Sequence, residues 1–385
     1  MNADYANVPS PCFVLEEARL RENLTLLGRV QDESGAKVIL ALKGFALFNT
    51  FPLIRARLPG CTVSSPHELR LAREEFGGEI HACAPVYRDE EMDEYLASVS
   101  HISFNSLSQW SRFKSRVNAR VGRVSPGIRV NPEHSEVGTA LYDPARPGSR
   151  LGVTADELDG RLPDGMEGLH FHTLCECGAD ALARTWTKVE ERFGPALQQA
   201  KWLNLGGGHL ITREGYDVDG LIDLIRDIRA RYDVEVFLEP GAAVVWRTGV
   251  LVSSVLDRIE RRGVRTLMLD VSFAAHMPDC LEMPYKPEVR GARDPAPDET
   301  GWRLGGTTCL AGDELGAYVF EQDPDIGARI VFEDMMHYTV VKTTLFNGVP
   351  HPSLGLLRAD GTFELLRQFG YEDYRNRLGG NPLGS

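Results

Sequence analysis

The feature that most constrains this chain is the alternation, from about residue 35 to residue 245, of short apolar runs with amphipathic helical stretches. Continuous apolar strands separated by helices predict a parallel sheet with helices on both faces. The runs that read as strands are 37–42, 80–84, 101–104, 127–130, 169–172, 202–205 and 234–238. About seven strand–helix units approach the eight of a TIM (β/α)8 barrel. A doubly wound sheet is the alternative, but polar residues at several strand ends favour the barrel.

The pattern changes after residue 245, where long helices become few and turn residues frequent. Such a pattern is typical of a mainly antiparallel β domain. The expected strands there are 248–257, 266–271, 317–320, 328–332 and 339–346, with a surface loop at 287–300. Because 385 residues exceed the usual size of one core, we predict two domains. They are a barrel at 20–245 and a β domain made of 1–19 plus 246–385.

Composition excludes several classes of protein. The net charge of −13 disfavours nucleic acid as a partner, because phosphate binding needs a basic surface, whereas an acidic field can attract a cationic ligand. No apolar run approaches the roughly 20 residues of a membrane helix, and no signal-peptide pattern begins the chain, so we expect a cytoplasmic protein. The seven cysteines show neither a disulfide framework nor the ligand spacings of a zinc site, and we predict no bound metal.

Three strand ends in the predicted barrel carry residues with chemical potential. Lys43 follows the strand 37–42, and partial burial there would make it a usable amine nucleophile; a solvated lysine is the alternative. Gly206, Gly207 and Gly208 directly follow a strand, so their amides could surround an anion, although a tight turn explains them equally well. Glu239, fixed by the proline after it, could pair with a protonated ring nitrogen or could be an exposed acid in a turn.

The strand 169–172 carries two histidines. His170 and His172 are two residues apart and share one face of the strand. If that face is the barrel interior, His172 lies nearer the mouth, where an imidazole can stack on a cofactor ring. Two histidines at this spacing could also bind a metal, but no third ligand is evident, and both could be satisfied core residues.

The predicted β domain contains two further candidates. Cys309 and Asp313 lie in the small-residue segment 306–313, where a thiol can act as an acid, although a buried inert cysteine is the alternative. Tyr338 precedes the expected strand 339–346, and its hydroxyl could donate to a phosphate or simply belong to a core aromatic.

Taken in order, these segments resemble the fold-type III pyridoxal-phosphate (PLP) decarboxylases, which include ornithine, arginine and diaminopimelate decarboxylases. The shared order covers nearly the whole chain: lysine after the first barrel strand, histidine strand, triple glycine, Glu-Pro-Gly, a cysteine loop, Tyr-Thr and Phe-Asn-Gly. Within the family the chain looks most similar to the branch acting on carboxynorspermidine and carboxyspermidine. The phrases that carry this closer match are 41–43, 171–176, 239–243 and 275–279.

The resemblance implies PLP as cofactor and a role for each matching residue. Lys43 would hold PLP as a Schiff base, and His172 would stack on its ring. Gly206, Gly207 and Gly208 would hold the phosphate with help from Tyr338. Glu239 would pair with the ring nitrogen.

The resemblance also implies a homodimer with active sites at the interface. Arg129 would lie near the ring edge. Cys309 and Asp313 would come from the partner subunit, with Cys309 as the acid that protonates the product, so the β domain would complete the active site. Ornithine and arginine enzymes commonly carry an arginine after Glu-Pro-Gly, whereas this chain has Ala242, which favours the carboxynorspermidine branch.

The expected substrate is a small cationic carboxy-polyamine, and the expected reaction is its decarboxylation to norspermidine or spermidine in polyamine biosynthesis. A desolvated ammonium needs an acidic partner. Asp270, Asp279 and Glu282 lie in one stretch with His276 between them. The family phrase favours Asp279 and His276, and we include Asp270, Asp313 and Glu239 among the expected substrate contacts. The alternatives are a diaminopimelate or basic amino-acid decarboxylase, an amino-acid racemase and a non-catalytic PLP-binding protein.

Overall fold

A computed structural model describes residues 5–120 and 122–380 of the chain. The chain divides into two compact units, one spanning Arg21–Trp246 and the other combining Met1–Leu20 with Arg247–Ser385. Residues 1–4 and 381–385, which the β-domain prediction included, lie outside the described residues. None of the described helices is long and apolar enough to cross a membrane.

The strands, in chain order, are β1 (Cys12–Glu16), β2 (Lys37–Ala41), β3 (Gly60–Val63), β4 (Glu79–Cys83), β5 (His101–Phe104), β6 (Ser125–Arg129), β7 (Gly168–His170), β8 (Trp202–Asn204), β9 (Glu235–Leu238), β10 (Gly249–Arg261), β11 (Val264–Leu269), β12 (Ala292–Arg293), β13 (Trp302–Gly305), β14 (Glu314–Phe320), β15 (Arg329–Glu333), β16 (Ser353–Leu357) and β17 (Phe363–Arg367).

The α-helices, in chain order, are Glu17–Ser34, Phe51–Arg55, Pro66–Leu71, Asp89–Ser98, Leu107–Asn118, Ala155–Leu158, Ala179–Leu197, Val218–Tyr232, Ala242–Val245, Phe273–His276, Asp279–Glu282, Thr339–Lys342 and Tyr371–Leu378. A π-helical turn at Ala72–Phe76 continues the third of them, and 3-10 turns lie at Phe48–Thr50, Ala140–Tyr142 and Phe346–Gly348.

The unit Arg21–Trp246 is a closed barrel of eight parallel strands, β2 to β9 in sequence order. Lys37 of β2 is in register with Phe237 of β9, which closes the ring. The TIM barrel is therefore confirmed over the doubly wound sheet. The strand missing from the prediction is β3, whose four residues are all buried. Its Gly60 lies so close to β4 that a side chain there would collide with Glu79.

Trp202 fills part of the barrel interior near the N-terminal ends of the strands. A Cβ atom at Gly127 of β6 or Gly168 of β7 would collide with the indole ring, so these two glycines make room for it. The indole Nε1 donates to Ser125 Oγ at 2.8 Å, which satisfies its polar atom. Side chains thus fill the barrel at this end, as in other barrels of this size.

Helix caps follow the sequence signals with one shift. Ser65 Oγ accepts a hydrogen bond from the Glu68 amide at 3.2 Å, as the capping pattern predicts. The Glu68 carboxylate, however, accepts from the amide of Ser64 at 2.6 Å rather than from Ser65. Asp217 caps the helix Val218–Tyr232 by accepting from the Gly220 amide at 2.9 Å.

The second unit contains a nine-stranded sheet in the order β12-β14-β13-β11-β10-β1-β16-β17, with β15 also paired to β10. Its pairs are antiparallel except β1 with β16 and β11 with β13, so the mainly antiparallel prediction is confirmed. Buried apolar residues of this unit form a cluster of Tyr5, Val8, Cys12, Val14, Val250, Val252 and Val331.

The prediction for this unit was wrong at 339–346. The first four residues there form the short helix Thr339–Lys342, which is followed by a turn. The β-branched run favoured a strand, but Tyr338 before it has a positive φ of 53° that turns the chain into the helix. The expected surface loop 287–300 contains the two-residue strand β12.

Candidate active site

The carboxyl ends of the barrel strands surround a cavity of about 510 Å³, which falls in the usual size range of small-molecule sites. Residues at or just after the carboxyl ends of β2, β3, β4, β6, β7 and β9 line it, together with residues of the segment 141–151. The charged, imidazole, hydroxyl and thiol side chains at the strand ends are Lys43, Thr62, Ser64, Cys83, Arg129, His170, His172 and Glu239. The barrel therefore brings Lys43, Arg129, His172 and Glu239 together, as the sequence predicted.

Lys43 is exposed and lines the cavity. The polar residue at the end of β9 is buried instead. Glu239 is 8% exposed, and its Oε1 accepts a hydrogen bond from Asn204 Nδ2 at 2.7 Å. Burial raises the pKa of Glu239, and the hydrogen bond from Asn204 and the positive charge of Lys43 oppose that rise.

Two neutral imidazoles stand on β7 and just after it. Burial, followed by the charges of Lys43 and Arg129, holds the pKa of His172 well below its usual value. His172 Nδ1 accepts a hydrogen bond from the Gly207 amide at 3.1 Å, so its proton is on Nε2. Burial also holds the pKa of His170 well below its usual value, and His170 Nε2 lies 3.6 Å from Glu239 Oε2.

The three glycines let the chain pass close to its neighbours. Gly206 and Gly208 have positive φ angles of 68° and 85°. A Cβ atom at any of the three would collide with a carbonyl oxygen, that of Phe171, Glu239 or Leu174 respectively. The Gly206 amide donates to Asn204 Oδ1 at 2.8 Å and the Gly207 amide to His172 Nδ1. Two of the amides expected to bind an anion are therefore used within the barrel.

Arg129 is a buried cation at the cavity wall. Its Nη2 donates to the carbonyl oxygen of His172 at 3.1 Å, and only 8% of the residue is exposed. Burial lowers the pKa of Arg129, which still remains charged at neutral pH. Burial also raises the pKa of the neighbouring Cys83 thiol to about 11.

In the second unit, Asp313 holds the predicted cysteine loop. Its carboxylate accepts from the amides of Phe273 at 2.7 Å and Ala274 at 3.0 Å, and from the amide and hydroxyl of Thr308 at 3.1 and 2.6 Å. These four bonds use the acceptor capacity of a carboxylate. Cys309 is exposed in this loop, and its amide donates to Asn347 Oδ1 at 2.8 Å.

The other predicted residues of this unit differ in their surroundings. Asp270 accepts from Ser10 Oγ at 2.6 Å and from Ser253 Oγ and the Ser254 amide, both at 2.8 Å, so it ties strands together. Asp279 forms an ion pair with Lys342.

Two more predicted residues of this unit are His276 and Tyr338. His276 is buried, which lowers its pKa to about 4, and its Nδ1 accepts from the Ser272 amide at 3.1 Å. Tyr338 lies directly before the helix Thr339–Lys342.

Among the described residues, one group of histidine and carboxylate side chains lies within reach of a metal ion, namely Glu79, His81 and His101. It lies at the starts of β4 and β5, the end of the barrel away from the cavity. Glu79 is 3.0 Å from His81 Nε2, 3.3 Å from His101 Nδ1 and 3.2 Å from Lys37 Nζ. Because the ammonium already neutralises this carboxylate, we interpret the group as a hydrogen-bonded barrel floor.

Several lining residues were missed in the sequence. Thr62 lies in the unpredicted strand β3 and Ser64 directly follows it, so the signal for both residues was lost with the strand. Cys83 ends a predicted strand, 80–84, but a cysteine in an apolar run reads as core. The segment 141–151 carries Asp143, Arg146 and Arg150 in a stretch without periodicity, and nothing in its pattern indicated the cavity.

Comparison with known proteins places these features in context. The family model described as pyridoxal-dependent decarboxylase, C-terminal sheet domain, matches residues 14–336. Carboxyaminopropylagmatine decarboxylase of Synechocystis sp. is 53% identical over 379 residues, which cover 98% of this chain and 97% of the relative.

Two further matches come from Campylobacter jejuni. Carboxynorspermidine/carboxyspermidine decarboxylase is 43% identical over 384 residues, which cover 97% of this chain and 99% of the relative. The crystal structure of carboxynorspermidine decarboxylase complexed with norspermidine superposes with a TM-score of 0.89 at 42% identity, covering 96% of this chain and all of the other. The similarity thus extends over both units of the fold.

Proposed function

Since this chain belongs to the pyridoxal-dependent decarboxylase family and is a carboxy-lyase, we propose that it decarboxylates carboxynorspermidine or carboxyspermidine to norspermidine or spermidine. The observation that carries the proposal is one cavity that joins an exposed amine, Lys43, with the buried carboxylate Glu239 and the neutral imidazole His172. The full-length relative from Campylobacter jejuni with this activity in its name supports the choice of substrate.

A second candidate substrate is carboxyaminopropylagmatine, favoured by the 53% identity to the Synechocystis enzyme. The candidates share an amino-acid head on an aminopropyl group and differ at the far end. Agmatine ends in a guanidinium, which is planar and binds carboxylates through two parallel hydrogen bonds, whereas an amine ends in a compact ammonium. The guanidinium and the ammonium therefore need acidic partners of different geometry. Comparing the rates of the two kinds of substrate distinguishes the two proposals.

The residues of the cavity fit PLP as the cofactor. An aldehyde needs a primary amine, which Lys43 exposes in the cavity, and a ring nitrogen needs an acid, which Glu239 provides. A phosphate needs backbone amide donors, and the glycine turn, which packs against neighbouring carbonyl oxygens, carries its amides beside His172. Because two glycine amides already have acceptors, we propose that the phosphate is held from Gly208 onwards, with Tyr338 as a further donor.

The chain's own groups then have distinct tasks. Bound PLP supplies a conjugated ring that accepts the electron pair left when carbon dioxide departs. Lys43 would hold the cofactor through its amine. Glu239 would keep the proton on the ring nitrogen, and His172 would face the ring as a neutral imidazole. Arg129, in the cavity wall, adds a fixed positive charge that favours negative charge developing in the cavity.

We further propose that the active form is a homodimer. Cys309 is exposed in its loop and supplies the proton to the substrate Cα from a second copy of the chain. Asp313 fixes the loop through its four hydrogen bonds rather than by touching the substrate.

For the distal ammonium we propose Asp279 as the partner. His276 is neutral, because burial lowers its pKa to about 4, so it does not repel a cation. Asp279 is paired with Lys342, whose ammonium a substrate ammonium would have to displace.

The test is carbon dioxide release from carboxynorspermidine, carboxyspermidine, carboxyaminopropylagmatine, ornithine, arginine and diaminopimelate, with and without added PLP. We expect PLP-dependent release from one or more of the first three, with kcat/KM at least ~100-fold above the others, since unpaired buried polar groups penalise a poorly fitting substrate. The Lys43→Ala variant serves as the inactive control. Release from diaminopimelate alone would refute the proposed substrate, and racemisation without carbon dioxide would refute the reaction.

A further inference from the structure

The carboxylate of Glu239 is held from the barrel interior by two neighbouring side chains. His170 of β7 and Asn204 of β8 are in register with each other, so their Cα atoms lie side by side across the two strands. Both side chains are buried, with exposures of 1% and 2%. Asn204 approaches Oε1 of Glu239, and His170 approaches Oε2.

The orientation of the Asn204 amide is fixed by its second partner. Its Oδ1 accepts from the Gly206 amide at 2.8 Å, and a backbone amide can only donate. The other half of the side chain, Nδ2, must therefore face Glu239, at 2.7 Å from Oε1. Because Nδ2 can only donate, Glu239 accepts there, which favours its ionised form.

The buried imidazole of His170 has an N–H that lacks an acceptor among the described residues. Neither ring nitrogen has a hydrogen-bond partner within residues 5–120 and 122–380. A neutral imidazole carries one N–H, and a buried N–H without an acceptor is costly. Glu239 Oε2 lies 3.6 Å from Nε2, so a movement of ~0.7 Å brings the pair to hydrogen-bond distance.

We propose that His170 and Asn204 are positioning residues, a pair of neutral donors that keeps Glu239 ionised and aimed at the ring nitrogen of PLP. The inference rests on the proposed function, because it gives these residues a task only if Glu239 meets that nitrogen. His170 acts through its Nε2–H tautomer, and Asn204 links the carboxylate to the glycine turn.

The charges around Glu239 explain why donors are needed. Lys43, Cys83, Arg129, His170 and His172 line the same cavity as Glu239, together with the Thr62 hydroxyl. Burial raises the pKa of Glu239, and the hydrogen bond from Asn204 is the largest opposing influence. The two neutral donors act on the carboxylate whatever the charge on Lys43.

Matched substitutions separate this role from a role in the core. Asn204→Asp keeps an acceptor for the Gly206 amide, replaces the Nδ2 donor by an oxygen and places a second carboxyl group beside Glu239. His170→Leu removes the imidazole donor, whereas His170→Gln retains an N–H. His81→Gln is the control, since His81 is an equally buried neutral imidazole on the barrel floor.

The primary readout is the apparent Kd for PLP, measured from the visible absorbance that appears as PLP is added to cofactor-free protein at several pH values. We expect Asn204→Asp and His170→Leu to weaken binding ~10-fold or more, as removal of outer hydrogen-bond partners does at other cofactor and metal sites. Binding to the Asn204→Asp variant should also depend more steeply on pH. His170→Gln and His81→Gln should stay within about twofold of wild type. Thermal unfolding of the cofactor-free proteins reports any general damage to the barrel.

The outcomes divide cleanly. Weaker binding in His170→Leu with retention in His170→Gln supports the inference. Wild-type affinity in His170→Leu and Asn204→Asp, or equal weakening in His81→Gln, overturns it and leaves the proposed function intact. Wild-type protein that takes up no PLP overturns the proposed function, and the inference falls with it.

Discussion

Lowering the pH should destabilise the barrel through His209, the histidine that follows the three glycines. It is 1% exposed, its Nδ1 contacts the Tyr216 hydroxyl at 2.7 Å, and burial lowers its pKa to about 4. In the unfolded chain the imidazole titrates near its ordinary value of 6.5. Between these two values the unfolded chain binds a proton that the folded chain does not, so stability falls as the pH falls.

The magnitude follows from the two pKa values of His209. Each pKa unit corresponds to about 1.36 kcal/mol, so the full shift from 6.5 to about 4 amounts to ~3.4 kcal/mol, reached only below pH 4. At pH 5 the same titration has removed ~2 kcal/mol, and at pH 7.5 almost none. The perturbation is therefore His209→Gln, which removes the titrating group but keeps a side chain of similar polarity and should remove this part of the pH dependence.

The assay is urea unfolding of cofactor-free protein at pH 7.5 and pH 5, followed by circular dichroism. Wild type should lose ~2 kcal/mol more than His209→Gln between the two pH values, whatever the variant's stability at pH 7.5. His67→Gln is the control, because His67 is exposed and solvated in both states. Equal losses in wild type and His209→Gln would show that burial does not keep this imidazole neutral, and the reasoning would be refuted.

Three further predictions concern the proposed chemistry. Lys43→Ala should lose the visible absorbance of lysine-bound PLP and resist borohydride labelling, and turnover by that variant would exclude its role. Asp279→Asn should raise KM for the polyamine substrate ~10-fold with little change in kcat, whereas an equal rise in Glu282→Gln would point to a general charge effect. Mixing inactive Lys43→Ala and Cys309→Ala subunits should restore about a quarter of wild-type activity, because half of the dimers are mixed and each has one intact site; no recovery would exclude a shared site.

The barrel was predictable from sequence because its strands are buried on both faces. The runs 38–42 and 236–238 are apolar without interruption. Such runs are typical of strands in a parallel sheet whose two faces are both covered. The strand β3 escaped because four residues beginning with Gly60 give too short a signal. The structure shows why a glycine stands at position 60, because β4 lies too close to it for a side chain.

Those site residues were predictable whose type indicates a chemical role by itself. Lys43, His172 and Glu239 closely follow strands, and the carboxyl ends of parallel barrel strands meet at one end of the barrel. Asn204 and His170 were harder to predict as site residues, because both approach Glu239, which is distant from them in sequence. The sequence pattern does not show that Asn204 turns its Nδ2 towards Glu239. That orientation follows from the Gly206 amide, which donates to Asn204 Oδ1 at 2.8 Å.

The thiol of Cys83 lies in the same cavity as Lys43, and both are nucleophiles that attack aldehydes. Burial changes which of them can compete. By raising the pKa of Cys83 from 9.0 to about 11, it leaves ~100-fold less thiolate at neutral pH than an ordinary cysteine would have. Burial would thus favour reaction of an aldehyde with the exposed amine of Lys43 over reaction with Cys83, whose thiol stays protonated until the solution becomes strongly alkaline.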